Sequence, residues 1–112
     1  MTSDELRALA DRVVACRHFR VMPGMRDLQG RTWTPDLLWR CLCTVDRPDL
    51  SDPATLGCLL ALVREAWRDQ RLALFYHYSY SDWRLYTPNN AFVQSATEAG
   101  ALVAALESAP SP

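Results

Sequence analysis

The residues best suited to bind a ligand or a partner alternate along the stretch from 72 to 87. Its sequence, LALFYHYSYSDWRLYT, is typical of two β-strands joined by a turn, because large apolar residues recur at every second position. The residues of the opposite face are Phe75, His77, Ser79, Arg84 and Tyr86. Aromatic rings and guanidinium groups stack on bases and pair with phosphates, and they also recur as hot spots of protein interfaces. We therefore predict a binding site at His77, Arg84 and Tyr86.

Two alternatives to this binding site stay open. The rings also fit a hairpin with a core face and an ordinary exposed rim, because Tyr, Phe and Trp are favoured in strands. A slip of one residue in the register would exchange the two faces.

A second candidate is the locally basic stretch from 17 to 31. It holds Arg17, His18, Arg20, Arg26 and Arg31 against the single carboxylate of Asp27. If this stretch folds beside the hairpin, we expect Arg20 and Arg26 to add contacts to an anion. The alternative is a solvated loop without a function.

Metal binding and catalysis are not favoured by the remaining reactive residues. Cys41 and Cys43, with Cys58, His18 and His77, could in principle supply a tetrahedral zinc site. Both strand cysteines fall on the face assigned to the core, where a free cysteine behaves as a small apolar residue. The chain also has no nucleophile-elbow, phosphate-loop, zinc-protease or dinucleotide motif. We therefore predict a protein that is not an enzyme and that holds neither metal nor cofactor.

Composition gives no global attraction to nucleic acid or to a membrane. The 112 residues carry a net charge of -1, and the basic residues are twelve arginines with no lysine, as in proteins from GC-rich genomes. No apolar run approaches the roughly 20 residues that span a bilayer, and charged residues interrupt the N-terminal segment. We expect a cytoplasmic protein with reduced thiols, folded as a single domain over 1–109 with a disordered tail at 110–112.

Three helices are predicted. Ser51 or Asp52 can cap a helix over 53–67 with Pro53 at its first position, and its apolar residues cover nearly the whole circumference, so we expect it at the centre of the fold. Thr2 and Glu5 form a capping box before an amphipathic helix over 3–16.

The last helix is predicted to begin at a second capping box, formed by Ser95 and Glu98. Gly100 inside this helix costs roughly 1 kcal/mol relative to alanine, which indicates close approach of another element.

The strands are predicted at 18–22, at 25–28, at 36–46 and in the hairpin of 72–87. A two-residue turn at Ser81 and Asp82 would place Tyr80 opposite Trp83, and a loop longer by one or two residues is the alternative. The order α-β-β-α-β-β-α indicates an α+β fold, with one mostly antiparallel sheet of about four strands and three helices packed on it. We expect helices on both faces, because Leu38 and Leu42 would otherwise be bare.

Three stretches resemble small uncharacterised phage and prophage proteins of GC-rich bacteria, some of which are grouped as a phage α/β/α-sandwich domain. They are PDLSDPATLGCLLALVREAW at 48–67, EAGALVAALE at 98–107 and the Met22–Met25 turn. The resemblance covers about half of the chain and rests on structural residues. It implies a layered α+β fold and a phage origin, and it brings no catalytic motif.

These observations predict a non-enzymatic phage accessory protein that binds a host protein, such as a component of a defence system. The alternative is a protein that sequesters a signalling nucleotide in a concave site lined by arginine and aromatic residues, often at the interface of a homodimer. A weaker alternative is a structural component of the phage.

Overall fold

The computed structural model describes residues 2–35, 46–88 and 92–110, which contain three helices and a three-stranded antiparallel sheet. The elements are α1 (Ser3–Val14), α2 (Pro53–Trp67), β1 (Leu74–His77), β2 (Asp82–Tyr86), β3 (Phe92–Ser95) and α3 (Glu98–Ser108). The predicted α+β class with three helices is confirmed, with three strands described where about four were expected. The predicted strand at 36–46 lies outside the described residues except for Asp46.

The first two helices begin where the sequence predicts. Thr2 accepts a hydrogen bond from the Glu5 N–H at 3.1 Å, and Asp52 accepts one from the Thr55 N–H at 3.0 Å. Each side chain satisfies one of the N–H groups that the first turn leaves without a partner. Pro53 is the first residue of α2, as expected.

The predicted start of the last helix is wrong. The cap of α3 is Thr97, whose hydroxyl accepts from the Gly100 N–H at 3.0 Å. Ser95 belongs instead to β3, where it lies opposite Trp83. The strand holds Ser95 in extended backbone, so the helix begins at Glu98.

The hairpin is confirmed, but its turn lies earlier than predicted. Leu74 pairs with Leu85 and Tyr76 with Trp83, which leaves the four residues 78–81 as the loop. Ser81 has a positive φ of 52°, which several types of tight turn require at one position. The displacement of the turn is by an even number of residues, so the predicted faces of both strands are kept. Only Tyr78 and Tyr80 leave the core face, because they are now in the loop.

The predicted strands at 18–22 and 25–28 are wrong. Residues 18–22 form a turn and irregular chain, and 25–28 contributes only isolated bridges, from Arg26 to Thr32 and from Asp27 to Pro48. The buried carboxylate of Asp27 accepts hydrogen bonds from the N–H groups of Gln29 and Arg31. Such local bonds between side chain and backbone compete with a strand ladder.

The helix at the centre of the fold is α3 and not α2. It contacts α1, α2 and all three strands, and six of its eleven residues are buried. Its many small residues let neighbouring elements approach closely on several sides. By contrast, α2 exposes a stripe at Ala54, Gly57, Ala61 and Glu65, and buries the rest of its circumference wholly or in part.

The described helices lie on one side of the sheet, and helices on both faces stay a prediction, because 36–45 lies outside the described residues. Leu74, Leu85 and Val93 point from the inner face into the core that α3 fills. The other two helices pack on α3. The outer face of the sheet is thereby left with exposed side chains. None of the three described helices is long and apolar enough to cross a membrane.

Candidate functional site

The outer face of the sheet carries a surface that we call the aromatic sheet face. It consists of Phe75, His77, Tyr80, Arg84, Tyr86 and Phe92. Alternation along the three strands brings these residues to one side, and Tyr80 folds back from the loop onto the ring of His77.

One aromatic ring from each strand forms a row across this face. The ring of Tyr86 lies between those of Phe75 and Phe92, with centroid distances of 5.4 and 5.6 Å. These three side chains are between 36% and 51% exposed. The row is therefore a continuous apolar strip that stays in contact with solvent.

Arg84 lies beneath this surface and supports it. Its guanidinium is 4.3 Å from the ring centroid of Tyr80 and 5.0 Å from that of Phe92. Asp82 accepts a hydrogen bond from Nε at 2.9 Å, and the side chain of Arg84 is only 11% exposed. That hydrogen bond, with a smaller contribution from Tyr86, raises the pKa of Arg84. The arginine thus holds the rings with its charge already balanced.

The three residues predicted for this site are brought together, but in different roles. His77, Arg84 and Tyr86 share the outer face. His77 is half-buried, with its ring 4.9 Å from Tyr80, and its Nδ1 is buried without a hydrogen-bond partner among the described residues. Tyr86 alone of the three presents a large open surface.

A shallow groove of about 380 Å³ borders the row of rings. Its lining includes Phe75 and Tyr86 of the row, together with Leu72 and Pro88. A groove of this size can accept a side chain of a partner.

Sequence reasoning missed Phe92 and Tyr80. The alternation of Phe-Val-Gln-Ser at 92–95 was a signal for a third strand, and it would have placed Phe92 opposite Tyr86. Tyr80 was assigned to the core because the turn was placed two residues too late.

The two arginines predicted to join this site lie at α2. Arg20 makes two hydrogen bonds of 2.8 Å to the carboxylate of Glu65, which lower the pKa of that carboxyl. The backbone N–H of Arg26 donates to the hydroxyl of Thr55 at 2.9 Å. The basic stretch is therefore attached to α2 and does not extend the aromatic sheet face.

Of the cysteines considered for a metal site, only Cys58 lies in the part of the chain that the structure describes. Cys41 and Cys43 lie outside the described residues. The thiol of Cys58 donates to the Pro23 carbonyl at 3.8 Å, and burial, with the nearby charge of Asp52, raises its pKa. Within 2–35, 46–88 and 92–110, no three His, Cys, Asp or Glu side chains are grouped to hold a metal ion.

Comparison with known proteins gives no further guidance. No protein family, curated protein or solved structure matches this chain.

Proposed function

We propose that this protein acts by binding another protein through the aromatic sheet face, without catalysis. The observation that carries the proposal is the concentration of exposed rings in one place. Seven large hydrophobic side chains are exposed among the described residues, and four of them belong to the aromatic sheet face: Phe75, Tyr80, Tyr86 and Phe92. An exposed cluster of this kind is typical of an interaction surface.

The charges around the rings favour a protein partner over a nucleic acid. Arg84 is paired with Asp82 at 2.9 Å, and Arg71, at the edge of the groove, is paired with Asp69 at 3.3 Å. Binding to nucleic acid depends on cations that can neutralise phosphates. A nearly neutral surface rich in Tyr and Phe instead matches the centre of a protein interface. The partner therefore presents an apolar patch.

The proposal of binding without catalysis rests on the sequence, which has no catalytic motif. The resemblance to phage proteins is the ground for naming a host protein, such as a defence component, as the partner. A structural role in the phage stays the alternative.

The test compares the double variant Tyr86→Ala/Phe92→Ala with a matched control, Tyr78→Ala. Tyr78 is 87% exposed at the tip of the hairpin, where its ring contacts Tyr76 rather than the row. Each protein serves as bait in a lysate of the bacterial host, and captured proteins are quantified by mass spectrometry. A partner found in this way is purified and its affinity is measured by calorimetry.

We expect the wild type and Tyr78→Ala to bind the same protein, and the double variant to bind it at least about 30-fold more weakly, as loss of a hot spot of about 2 kcal/mol gives. Melting temperatures confirm that the variants are folded. Equal affinity of the double variant would show that the aromatic sheet face is not the site. Light scattering tests whether the protein forms a homodimer, and a fluorescent single-stranded oligonucleotide tests whether it binds nucleic acid. If self-association or oligonucleotide binding is lost in the double variant, a second copy of the chain or a nucleic acid replaces the proposed partner.

A further inference from the structure

A cavity of about 520 Å³ lies where the turn after α1 meets the C-terminal end of α2, with Pro110 at its rim. We call it the α2 pocket. Its volume is within the range of sites for small molecules. The residues that could recognise a ligand are Arg17, His18, Arg20, Trp67 and Arg68, and Glu65 is the single carboxylate of the lining.

We propose that the α2 pocket binds a small phosphorylated molecule, with the phosphate held by Arg20 and Arg68 and a flat ring placed against Trp67. Arginine is suited to this role because its planar fork forms paired hydrogen bonds with phosphate oxygens. This site is separate from the aromatic sheet face and does not depend on the function proposed for that face.

Arg20 can exchange its present partner at small cost. It is bound to Glu65 through two hydrogen bonds of 2.8 Å, and the side chains of the pair are 56% and 59% exposed. An ion pair so open to water contributes little to stability. A phosphate offers the same two-oxygen geometry with more charge, so it can take the place of the carboxylate.

The backbone of Arg68 points to a role for its side chain. Arg68 ends α2 with a positive φ of 55°, in the left-handed region where helices usually place glycine. Its N–H bonds the carbonyls of Arg64 and Glu65, so the end of the helix is already capped by the backbone. Glycine would fit this left-handed backbone better. The presence of arginine at this position is therefore not explained by the end of the helix, and its side chain is available to the pocket.

Trp67 supplies a fixed wall. Its indole N–H donates to the Ala105 carbonyl at 2.9 Å, which holds the half-buried ring against α3. Leu62 and Ala66 add apolar surface to the lining. His18 also lines the pocket, and its buried Nε2 atom has no hydrogen-bond partner among the described residues. Trp67 therefore offers a face for a stacked ring within the same pocket as the two arginines.

The test measures binding of adenosine 5′-monophosphate, adenosine and inorganic phosphate by calorimetry at low salt. Arg20→Gln and Arg68→Gly are each expected to weaken binding of the nucleotide about tenfold or more, because a charged hydrogen bond is lost. Arg68→Gly should at the same time keep or raise the melting temperature, because glycine suits the left-handed backbone.

Glu65→Gln should strengthen binding, because it removes the group that competes for Arg20. The control is Arg71→Gln, whose side chain is 92% exposed outside the pocket and whose loss should change nothing.

Three results would overturn the proposal. The first is the absence of nucleotide binding at millimolar concentration, and the second is wild-type affinity in both Arg20→Gln and Arg68→Gly. The third is a nucleotide affinity no higher than that of adenosine, which would remove the role of the arginines. Phosphate binding as tightly as the nucleotide would overturn the stacking assigned to Trp67.

Discussion

At the scale of single residues, Gly100 shows how closely two elements approach. A Cβ at this position would collide with the hydroxyl of Ser95 and would lie 2.8 Å from the hydroxyl of Thr97. These two hydroxyls are in use, because Ser95 accepts from the Thr97 N–H and Thr97 caps α3. The close approach that the sequence predicts for Gly100 is confirmed.

Substitution of Gly100 by alanine is expected to destabilise the fold by about 1–2 kcal/mol, because the lost cap costs more than the gain in helix propensity returns. The matched control is Gly57→Ala on the exposed stripe of α2, where a Cβ would meet nothing within 4 Å. That change should stabilise the protein by about 1 kcal/mol. Urea unfolding of both variants checks the opposite signs, and a stabilising Gly100→Ala would contradict the packing described for α3.

Arg84 illustrates how a residue can be placed correctly by the sequence while its contacts are not predicted. The alternation of β2 placed it on the outer face, where the structure also finds it. Its ion pair with Asp82 and its two ring contacts make it part of the support of that face. The two ring contacts come from Tyr80 in the loop and Phe92 in β3, and the sequence reasoning had placed neither residue on this face.

At the scale of elements, α2 separates its leucines by depth. Leu59 is fully buried, whereas the neighbouring Leu60 is only partly buried against the core. The sequence does not distinguish these two leucines, because the apolar residues of this helix cover nearly its whole circumference. Ala54, Gly57 and Ala61 lie on the exposed side of α2. Because these residues are small, that side of the helix can face solvent without exposing a large apolar surface.

Leu59→Ala should therefore lower the free energy of unfolding by about 2–5 kcal/mol, as loss of a buried leucine does. Leu60→Ala should cost clearly less, because part of its side chain is solvated in the folded state. Urea unfolding measures both free energies, and the dependence of the free energy on urea concentration should be the same for the two variants. Equal losses at the two positions would mean that Leu60 is buried as deeply as Leu59.

At the scale of the whole molecule, α3 joins all the described elements. It receives α1 and α2 on one side and the sheet on the other, and the indole of Trp67 is bonded directly to its backbone. One hydrophobic cluster contains residues of every described helix together with Leu85 of the sheet. The sheet has no other described helix against it, so its inner face depends on α3.

We expect the protein to unfold in one cooperative step. Tryptophan fluorescence reports on four residues, among them Trp33 in the core, Trp67 of α2 and Trp83 of the sheet, and far-ultraviolet circular dichroism reports mainly on the helices. The two unfolding curves in urea should coincide, because neither layer has a core without α3. A separate early transition in the fluorescence would show that part of the core unfolds independently of the helices.

The sequence by itself determined the features that depend on neighbours along the chain. Caps, helix spans and the two faces of the hairpin follow from hydrogen bonds and side-chain directions within a few residues, so Thr2, Asp52 and the face shared by His77, Arg84 and Tyr86 were predicted. The glycine of the last helix also indicated close packing.

Only the tertiary structure decided what depends on contacts between distant parts of the chain. It placed α3 at the centre, added β3 and with it Phe92, and attached Arg20 to Glu65, forty-five positions away. Alternation states that a side chain lies on a given face, but it does not state whether another element covers that face. That is why the row of exposed rings and the α2 pocket became visible only after the chain had folded.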